Sequence, residues 1–285
     1  MYKIDLHIHT TVSDGQHSPR EVVRMAKAKG LELMAITDHD SAAGLGEGEA
    51  AAREAGIRFL PGIEISVKDD NEMHILGYCI DRNNPELLRV CAEFSRLREL
   101  REERIIRLLQ ERRVPITRED VRQYIKGSVP GRAHFARAIV GAGFAADVRD
   151  AFRKYLSGSE FQAIERPKPS PGFVIALIRR AGGVAVLAHP TSLRMDEEQL
   201  DKTLAGLVNL GLQGMECHYS TNKKAQTRQF LKLADKHGLI VTGGSDFHGE
   251  DVKKGVEIGS GIGGTLMFED ERLEEKLWEL SAKNC

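Results

Sequence analysis

The sequence has little of several features that mark particular classes of protein. Only four of its 285 residues are cysteines (Cys79, Cys91, Cys217 and Cys285), and no two of them form a CxxC pair. Scattered cysteines of this kind argue against a disulfide framework or a thiolate zinc site. We therefore expect reduced, mostly buried thiols, as in a cytoplasmic protein.

Long apolar runs and an excess of charge of one sign are lacking too. No run approaches the roughly 20 apolar residues of a membrane-spanning helix, and the opening residues MYKID carry no apolar signal-peptide core. Lys and Arg number 41 and Asp and Glu number 42, for a formal net charge of −1. This balance excludes a general polybasic coat for nucleic acid and an acidic tail. We expect a globular protein of one or two domains without membrane association.

Strand-like and helix-like segments alternate at both ends of the chain. Helix signals separate the apolar runs; one example is Ser18-Pro19-Arg20-Glu21, which has the composition of a capping box. The alternation predicts parallel strands joined by right-handed crossovers. The predicted strands cover 2–8, 31–37, 57–67, 73–80, 183–188, 212–217 and 239–243.

The middle of the chain lacks the alternation of strands and helices that is predicted at both ends. From about Pro85 to Pro167 we find helix signals and no convincing strand. A long charged helix is predicted over 86–113, followed by shorter helices over 117–126, 132–141 and 147–157. An all-helical stretch between two alternating halves is typical of an insertion that caps one face of a domain.

Histidine and acidic residues follow the predicted strands. They lie in the segments DLHIHTTVSDG, TDHD, PGIEIS, AHP and SDFH, and His74 is the exception because it opens its strand. In a (β/α) barrel the carboxyl ends of the strands converge on one face, where active sites are built. Residues far apart in the sequence could therefore share one pocket.

The spacing and residue types in these segments suit metal ions. In His7-x-His9 and Asp246-x-His248 both side chains point to the same side of an extended chain, so each pair can hold one cation. Imidazole and carboxylate without thiolate favour Mn, Fe or Zn. A lone histidine usually has a structural role, as we expect on the surface for His17 and His237. Ionisable groups at five separate strand ends are harder to explain by packing, because burying them without partners is costly.

These segments resemble the polymerase and histidinol phosphatase (PHP) family of metal-dependent phosphoesterases. The motifs DLHxHTxxSDG, TDHD, GIEIS, HILGY, AHP and SDFH occur in order, over residues 1–80 and about 170–260. The resemblance implies a distorted (β/α)7 TIM-like barrel formed by residues 1–85 and 168–285, with residues 86–167 as an inserted all-helical lid. It also implies nine metal ligands: His7, His9, Asp14, His39, Glu64, His74, His189, Asp246 and His248.

The resemblance further implies two or three divalent ions. One ion would bind His7, His9, Glu64 and Asp246, a second Glu64, His74 and His189, and a third Asp14, His39 and His248. The helical insertion is similar to the lid of stand-alone members that remove phosphate from nucleotides, including nucleoside 3′,5′-bisphosphates, or that trim short RNA from the 5′ end. No polymerase module is evident in the sequence.

The predicted activity is hydrolysis of phosphate monoesters. Clustered divalent ions lower the pKa of bound water, so we hypothesise in-line attack of hydroxide on phosphorus, with Asp40 as the candidate general acid or base. Arg132 and His134 open a predicted helix where phosphate could bind, and His218 follows a strand outside the nine-ligand set. Residues 96–137 carry twelve Lys and Arg against six Asp and Glu, although such charged runs are commonly solvated faces.

Three other functions stay open at this point. A histidinol phosphate phosphatase would share the metal site and differ in the substrate pocket. Amidohydrolases cleave C–N bonds on similar barrels, but they often use a carboxylated lysine, and no lysine stands in a ligand-like place here. A non-catalytic regulatory metal binder would be expected to have lost ligands, and all nine positions are filled.

Overall fold

The structure is a computed structural model that describes residues 3–69, 71–125, 130–164, 166–266 and 268–284. Seven strands form its main sheet, and a small hairpin of two further strands, β8 (Val256–Glu257) and β9 (Gly261–Ile262), lies outside it. The seven strands are β1 (Ile4–Asp5), β2 (Leu33–Ile36), β3 (Arg58–Ser66), β4 (His74–Tyr78), β5 (Val184–Leu187), β6 (Gly214–Tyr219) and β7 (Ile240–Gly244).

Helices connect most of these strands and form the insertion. The capping box predicted at Ser18 is present, with Ser18 accepting the Glu21 N–H and Glu21 accepting the Ser18 N–H. The helices are α1 (Pro19–Ala28), α2 (Leu45–Ala55), α3 (Pro85–Glu111), α4 (Arg118–Arg122), α5 (Arg132–Gly141), α6 (Val148–Ala151), α7 (Ser159–Gln162), α8 (Pro171–Arg180), α9 (Glu197–Asn209), α10 (Lys224–Lys236) and α11 (Leu273–Ala282).

The sheet follows chain order from β1 to β7 and curls until its two edges meet. At the seam the Leu6 N–H donates to the Gly243 carbonyl at 3.1 Å, and Ile8 pairs with Phe247 in a parallel bridge. The predicted distorted (β/α)7 barrel is therefore confirmed.

One strand runs against the others. The prediction of parallel strands throughout was wrong for β4, which is antiparallel to both β3 and β5. The connection from Ser66 to His74 is too short for a helical crossover, so the chain must turn back on itself. This reversal places the first residue of β4, His74, at the same rim as the carboxyl ends of the other strands. His74 therefore lies with the other candidate ligands although it begins its strand.

Several predicted element boundaries differ from the structure. The first strand is limited to β1 because the backbone from Leu6 onward turns to the seam. The helix predicted over 117–126 ends at Arg122, and residue 126 lies outside the described residues. The helix predicted over 147–157 is α6 followed by a π-helix, Phe152–Leu156. The β8–β9 hairpin was not predicted, since its strands have only two residues each.

Apolar side chains form three clusters that follow the layers of the fold. Ile63, Leu187 and Cys217 belong to a cluster between the sheet and the outer helices. A second cluster fills the barrel and includes Leu76 and Leu277, the latter on α11. Alternation of side chains along each strand produces this separation of inner and outer faces.

The third cluster lies within the helical insertion and includes Ile105, Leu109 and Phe135. Helix α3 contributes to two clusters, because Leu87 and Phe94 near its start pack with the barrel helices. The insertion thus has apolar packing of its own, while the division at residues 85/86 and 167/168 stays a prediction.

The remaining compositional expectations can be compared with the described residues. Cys79 and Cys217 are buried, Cys91 is half-buried, and all three are free thiols, while Cys285 lies outside the described residues. In the described part of the chain, no helix combines the length and the apolar character needed to cross a membrane.

Gly244 is expected to be essential for closing the barrel. A Cβ atom there would lie 2.2 Å from the His7 Cβ and 2.6 Å from the His7 backbone nitrogen. Gly244→Ala should lower the free energy of unfolding by about 1–3 kcal/mol, because β1 would have to move away from β7. Gly206→Ala in α9 is the control, since a Cβ there meets no atom within 4 Å. Urea unfolding of both variants measures the effect, and equal stability would contradict the close approach at the seam.

Candidate metal centre

The nine predicted ligands lie together at one rim of the barrel. His7 and His9 follow β1, His39 follows β2, and Glu64 lies in β3. The remaining five residues arrive from the loop after β1, the start of β4 and the segments after β5 and β7: Asp14, His74, His189, Asp246 and His248. Six of the nine are buried, His39 and His74 are half-buried, and Asp14 is the most exposed, with a side chain 32% accessible.

Glu64 is the centre of this arrangement. Its Oε2 lies 3.4 Å from His7 Nε2, 3.2 Å from His9 Nε2 and 2.9 Å from His39 Nδ1. Its Oε1 lies 2.9 Å from both His74 Nδ1 and His189 Nε2. One carboxylate therefore contacts five imidazole rings, which is the position expected of a ligand shared between two cations.

Two aspartates complete the cluster. Asp246 Oδ1 lies 3.7 Å from His7 Nε2, 3.4 Å from His9 Nε2 and 3.3 Å from His248 Nδ1. Asp14 Oδ1 lies 3.6 Å from His9 Nδ1 and 3.4 Å from His248 Nε2, and its Oδ2 lies 3.8 Å from His39 Nε2. The two carboxylates thus face each other across His9 and His248.

Four overlapping groups have donor atoms close enough to hold an ion. Within each group one donor atom per residue lies within 4.8 Å of the others. The groups are His7–His9–Asp246, His7–Glu64–His189, His39–Glu64–His74, and His9–Asp14–His39–His248. The fourth group contains Asp14, His39 and His248, the ligands predicted for the third ion, together with His9. The residues predicted for the first and second ions are distributed over the other three groups in different combinations.

The nitrogen atoms of this cluster are short of hydrogen bonds. Within the described residues, His7 Nε2 and both ring nitrogens of His9 are buried and have no hydrogen-bond partner. Leaving buried polar atoms unpaired is costly. Cations bound by these nitrogens would satisfy them, so the donor set and its unpaired atoms fit divalent metal ions.

The carboxylates and imidazoles of the cluster stabilise one another's charged forms. Burial disfavours protonation of His39, but the Glu64 and Asp14 carboxylates outweigh it and raise the pKa of His39 to about 9. Burial likewise opposes ionisation of Glu64, and the surrounding imidazoles outweigh it and hold the pKa of Glu64 well below its usual value. Without metal, therefore, protons on histidine balance the carboxylates, and a bound cation would take their place.

The backbone is strained at two of the predicted ligands. His189 has φ 23° and Asp246 has φ 55°, a region that residues other than glycine seldom adopt. Side chains that face the cluster hold both positions. Ser192 Oγ lies 2.9 Å from His189 Nδ1, and the Tyr219 hydroxyl donates to Asp246 Oδ2 at 2.7 Å. Strain of this kind is common at functional sites.

Asp40, the predicted general acid or base, is held by two arginines. Its Oδ2 forms ion pairs with Arg98 of α3 and with Arg166, the latter at 2.8 Å. Burial opposes ionisation, but the two guanidinium groups and His39 outweigh it and lower the pKa of Asp40. This environment favours an ionised carboxylate. Such a carboxylate is better suited to positioning the two arginines than to storing a proton. The role of Asp40 in the reaction stays a prediction.

The three predicted phosphate-binding residues have different surroundings. Arg132 is exposed at the start of α5 and lines a cavity next to the insertion. His134 accepts the Gly131 N–H at 2.9 Å and caps its own helix, and it lies within reach of the Asp14 charge. The His218 ring stacks on Phe268 with 4.8 Å between centroids, and burial lowers its pKa.

Two cavities open beside the cluster and share Arg98, Glu102 and Pro130. The larger, about 1250 Å³, reaches Ser66 at the end of β3. The smaller, about 720 Å³, includes His39, and Ala42, Leu88 and Ala92 form an apolar stretch of a lining that also includes charged side chains. The cationic residues that line the larger cavity are Lys68, Arg98, Arg101, Arg132, Arg166 and Lys168.

Sequence reasoning missed several residues of this site. Arg98 and Arg166 were not singled out, because nothing in their local sequence relates them to Asp40. Glu216, fully buried in β6 beside His7, was missed as well. Its signal was present, since it is the acidic residue in the otherwise uncharged strand GMECHY.

Known proteins resemble this chain over nearly its whole length. A 3′,5′-nucleoside bisphosphate phosphatase of Chromobacterium violaceum is 35% identical over 253 residues, covering 87% of this chain and 88% of that protein. A 5′-3′ exoribonuclease of Haemophilus influenzae is 33% identical, covering 86% and 90%. A solved structure from Bifidobacterium adolescentis, assigned as a metal-dependent phosphoesterase, has a TM-score of 0.78 at 34% identity, covering 97% and 95%.

The fold, the cluster and these matches define the class of protein. It is a hydrolase that acts on phosphoric ester bonds, as predicted. More particularly, the chain belongs to the PHP family, whose PHP domain matches residues 5–165. That match includes all but the last two residues of the predicted insertion, while the segments AHP and SDFH lie beyond it.

The shared position of Glu64 predicts an unequal effect of two conservative substitutions. After loading with Mn²⁺ and desalting, Glu64→Gln should retain far less metal per chain than His74→Gln, because Glu64 belongs to two donor groups and His74 to one. Elemental analysis of the desalted proteins measures the ratio. Equal metal content in the two variants would contradict the central role of Glu64.

Proposed function

We propose that this PHP-family hydrolase removes phosphate from nucleotides, with nucleoside 3′,5′-bisphosphates or nucleoside monophosphates as substrates. The observation that carries this proposal is the larger cavity, in which six Lys and Arg side chains face two acidic ones beside the candidate metal centre. A substrate with a single small phosphate would leave most of these cations unused, so a substrate with more than one phosphate group fits better.

The smaller cavity supports a nucleoside as the rest of the substrate. It begins at His39, one of the proposed ligands, and continues along Ala42, Leu88 and Ala92. Cavities for small molecules typically combine an apolar wall with a few polar groups that fix orientation. A phosphate at the cluster could thus be flanked by an apolar nucleoside site and a basic phosphate site.

The nine residues described above would hold two or three divalent ions, and Mn, Fe and Zn suit this donor set. When bound, such ions acidify water and neutralise charge on the phosphoryl oxygens. The protein itself contributes cationic side chains that bind and orient the substrate. Arg98 and Arg166, held by Asp40, lie where the larger cavity meets the cluster, and they would position the phosphate ester.

A short RNA with a 5′ end is a second candidate substrate. One relative is named as a 5′-3′ exoribonuclease, and the basic cavity would suit more than one phosphate along a strand. Histidinol phosphate, with one phosphate and a cationic ammonium group, suits the basic cavity less well.

A panel of phosphate esters tests the proposal. Metal-loaded protein should release phosphate from nucleoside 3′,5′-bisphosphate with a higher kcat/KM than from histidinol phosphate. Nucleoside monophosphates, a 5′-phosphorylated oligoribonucleotide and an N-acyl amino acid complete the panel. Preference for histidinol phosphate would overturn the nucleotide proposal, and turnover of the N-acyl amino acid alone would overturn phosphoester hydrolysis.

The variant Arg132→Ala tests whether the insertion binds a phosphate group of the nucleotide. The variant should raise KM for the bisphosphate about tenfold or more, because a charge-assisted contact to phosphate is lost. KM for p-nitrophenyl phosphate, which needs only the cluster, should change little. Arg137→Ala, on the same helix but outside the lining of both cavities, is the control. Equal effects on both substrates would contradict a role of the insertion in nucleotide binding.

Asp40→Asn tests how Asp40 acts. Loss of the carboxylate should lower kcat/KM for the bisphosphate by about 10–100-fold, because Arg98 and Arg166 lose a charged partner. Metal content should not change, since Asp40 belongs to none of the four donor groups. A fall in kcat with KM unchanged would instead assign proton transfer to Asp40, and unaltered kinetics would remove it from the mechanism.

A further inference from the structure

Glu216 is a buried carboxylate that the nine-residue set does not include. Its side chain is fully buried in β6, and its one ion pair within the described residues is with His7. Its Oε1 lies 3.0 Å from His7 Nδ1, and its Oε2 accepts the backbone N–H of His189 at 2.7 Å. Both oxygens therefore serve proposed ligands that are 182 residues apart in the sequence.

The local structure of β6 explains why this side chain points inward. Met215 and Cys217 belong to the apolar cluster outside the barrel, so the residue between them faces the interior. The pairing with β7 shifts after Glu216, which pairs with Thr242, whereas His218 pairs with Gly243. Such a bulge changes the direction of the following side chains, and the His218 ring stacks on Phe268.

We propose that Glu216 is a positioning residue of the metal centre, acting through His7 and His189. An acceptor at His7 Nδ1 keeps the proton on that nitrogen and leaves the lone pair of Nε2 directed at Glu64 and Asp246. The second oxygen holds the backbone of His189, whose φ of 23° is otherwise unfavourable. This proposal rests on the metal centre of the proposed function.

The geometry requires a carboxylate and not merely a polar group. Both Glu216 oxygens face donors, an imidazole N–H and a backbone N–H. A glutamine has one acceptor oxygen, so its NH₂ group would face a donor or force His7 into the other tautomer. An aspartate is one methylene shorter. Among the residues that the structure describes, no Lys or Arg forms an ion pair with Glu216. Burying a carboxylate in this way is unfavourable for the chain alone, and nearby cations would offset that cost.

The test compares Glu216→Gln with Thr242→Val. Thr242 is fully buried and pairs with Glu216 across the strands, so its variant changes the packing beside Glu216 and leaves both of its contacts intact. Two quantities are measured on each full-length protein and on the wild type. One is the apparent Kd for Mn²⁺ by titration of stripped protein, and the other is the Tm of the stripped protein.

We expect Glu216→Gln to weaken Mn²⁺ binding about 10–100-fold, with a stripped-protein Tm no lower than that of Thr242→Val. Unchanged Mn²⁺ binding would overturn the proposal. A stripped-protein Tm well below that of Thr242→Val would also overturn it, because the role would then be structural. A wild type that binds no Mn²⁺, Fe²⁺ or Zn²⁺ would overturn the metal centre itself, whereas normal wild-type binding together with an unaffected variant would overturn only the role of Glu216.

Discussion

The structure depends on holding ionisable side chains together in a cup that largely excludes water. Glu64 contacts five imidazole rings, and none of these groups would be stable there alone, since burial penalises the charged form of each. Their mutual attraction balances that penalty only if all of them arrive within a few ångströms. The barrel provides this condition, because its strand ends converge and its seam brings His7 against Gly244.

The antiparallel strand β4 follows from the same requirement. In an all-parallel barrel the first residue of a strand would lie at the opposite rim from the cluster. Reversing β4 puts His74 next to Ser66 and within 2.9 Å of Glu64. The short turn between β3 and β4 thus adds a ligand to the rim without another crossover helix. The distortion of the barrel has a chemical consequence, since it completes the donor group of His39, Glu64 and His74.

The features that could be predicted from the sequence arise from a few neighbouring residues or from a pattern repeated along the chain. His7-x-His9 and Asp246-x-His248 express strand geometry within three residues, and the Ser18 capping box is complete within four. The direction of β4 could not be inferred, because alternation of elements describes their order and not their pairing. The contacts of Asp40 with Arg98 and Arg166, and of Glu216 with His7, join residues 58, 126 and 209 positions apart. A lone acidic residue in a strand such as β6 marks an unusual position, but the neighbouring residues in the sequence do not indicate which distant side chain is its partner.

The Asp40 contacts also connect the insertion to the cluster. Asp40 adjoins the proposed ligand His39 and its backbone N–H donates to the Glu64 carbonyl at 2.8 Å, so its position is fixed by the rim of the barrel. Its side chain in turn fixes Arg98, whose helix α3 begins on the barrel and continues into the insertion. An anionic substrate that engages Arg98 would compete with Asp40 for the same guanidinium group. The ion pair of Asp40 with Arg98 thus joins the rim of the barrel to the insertion, and under the proposed function an anionic substrate would bind where the two meet.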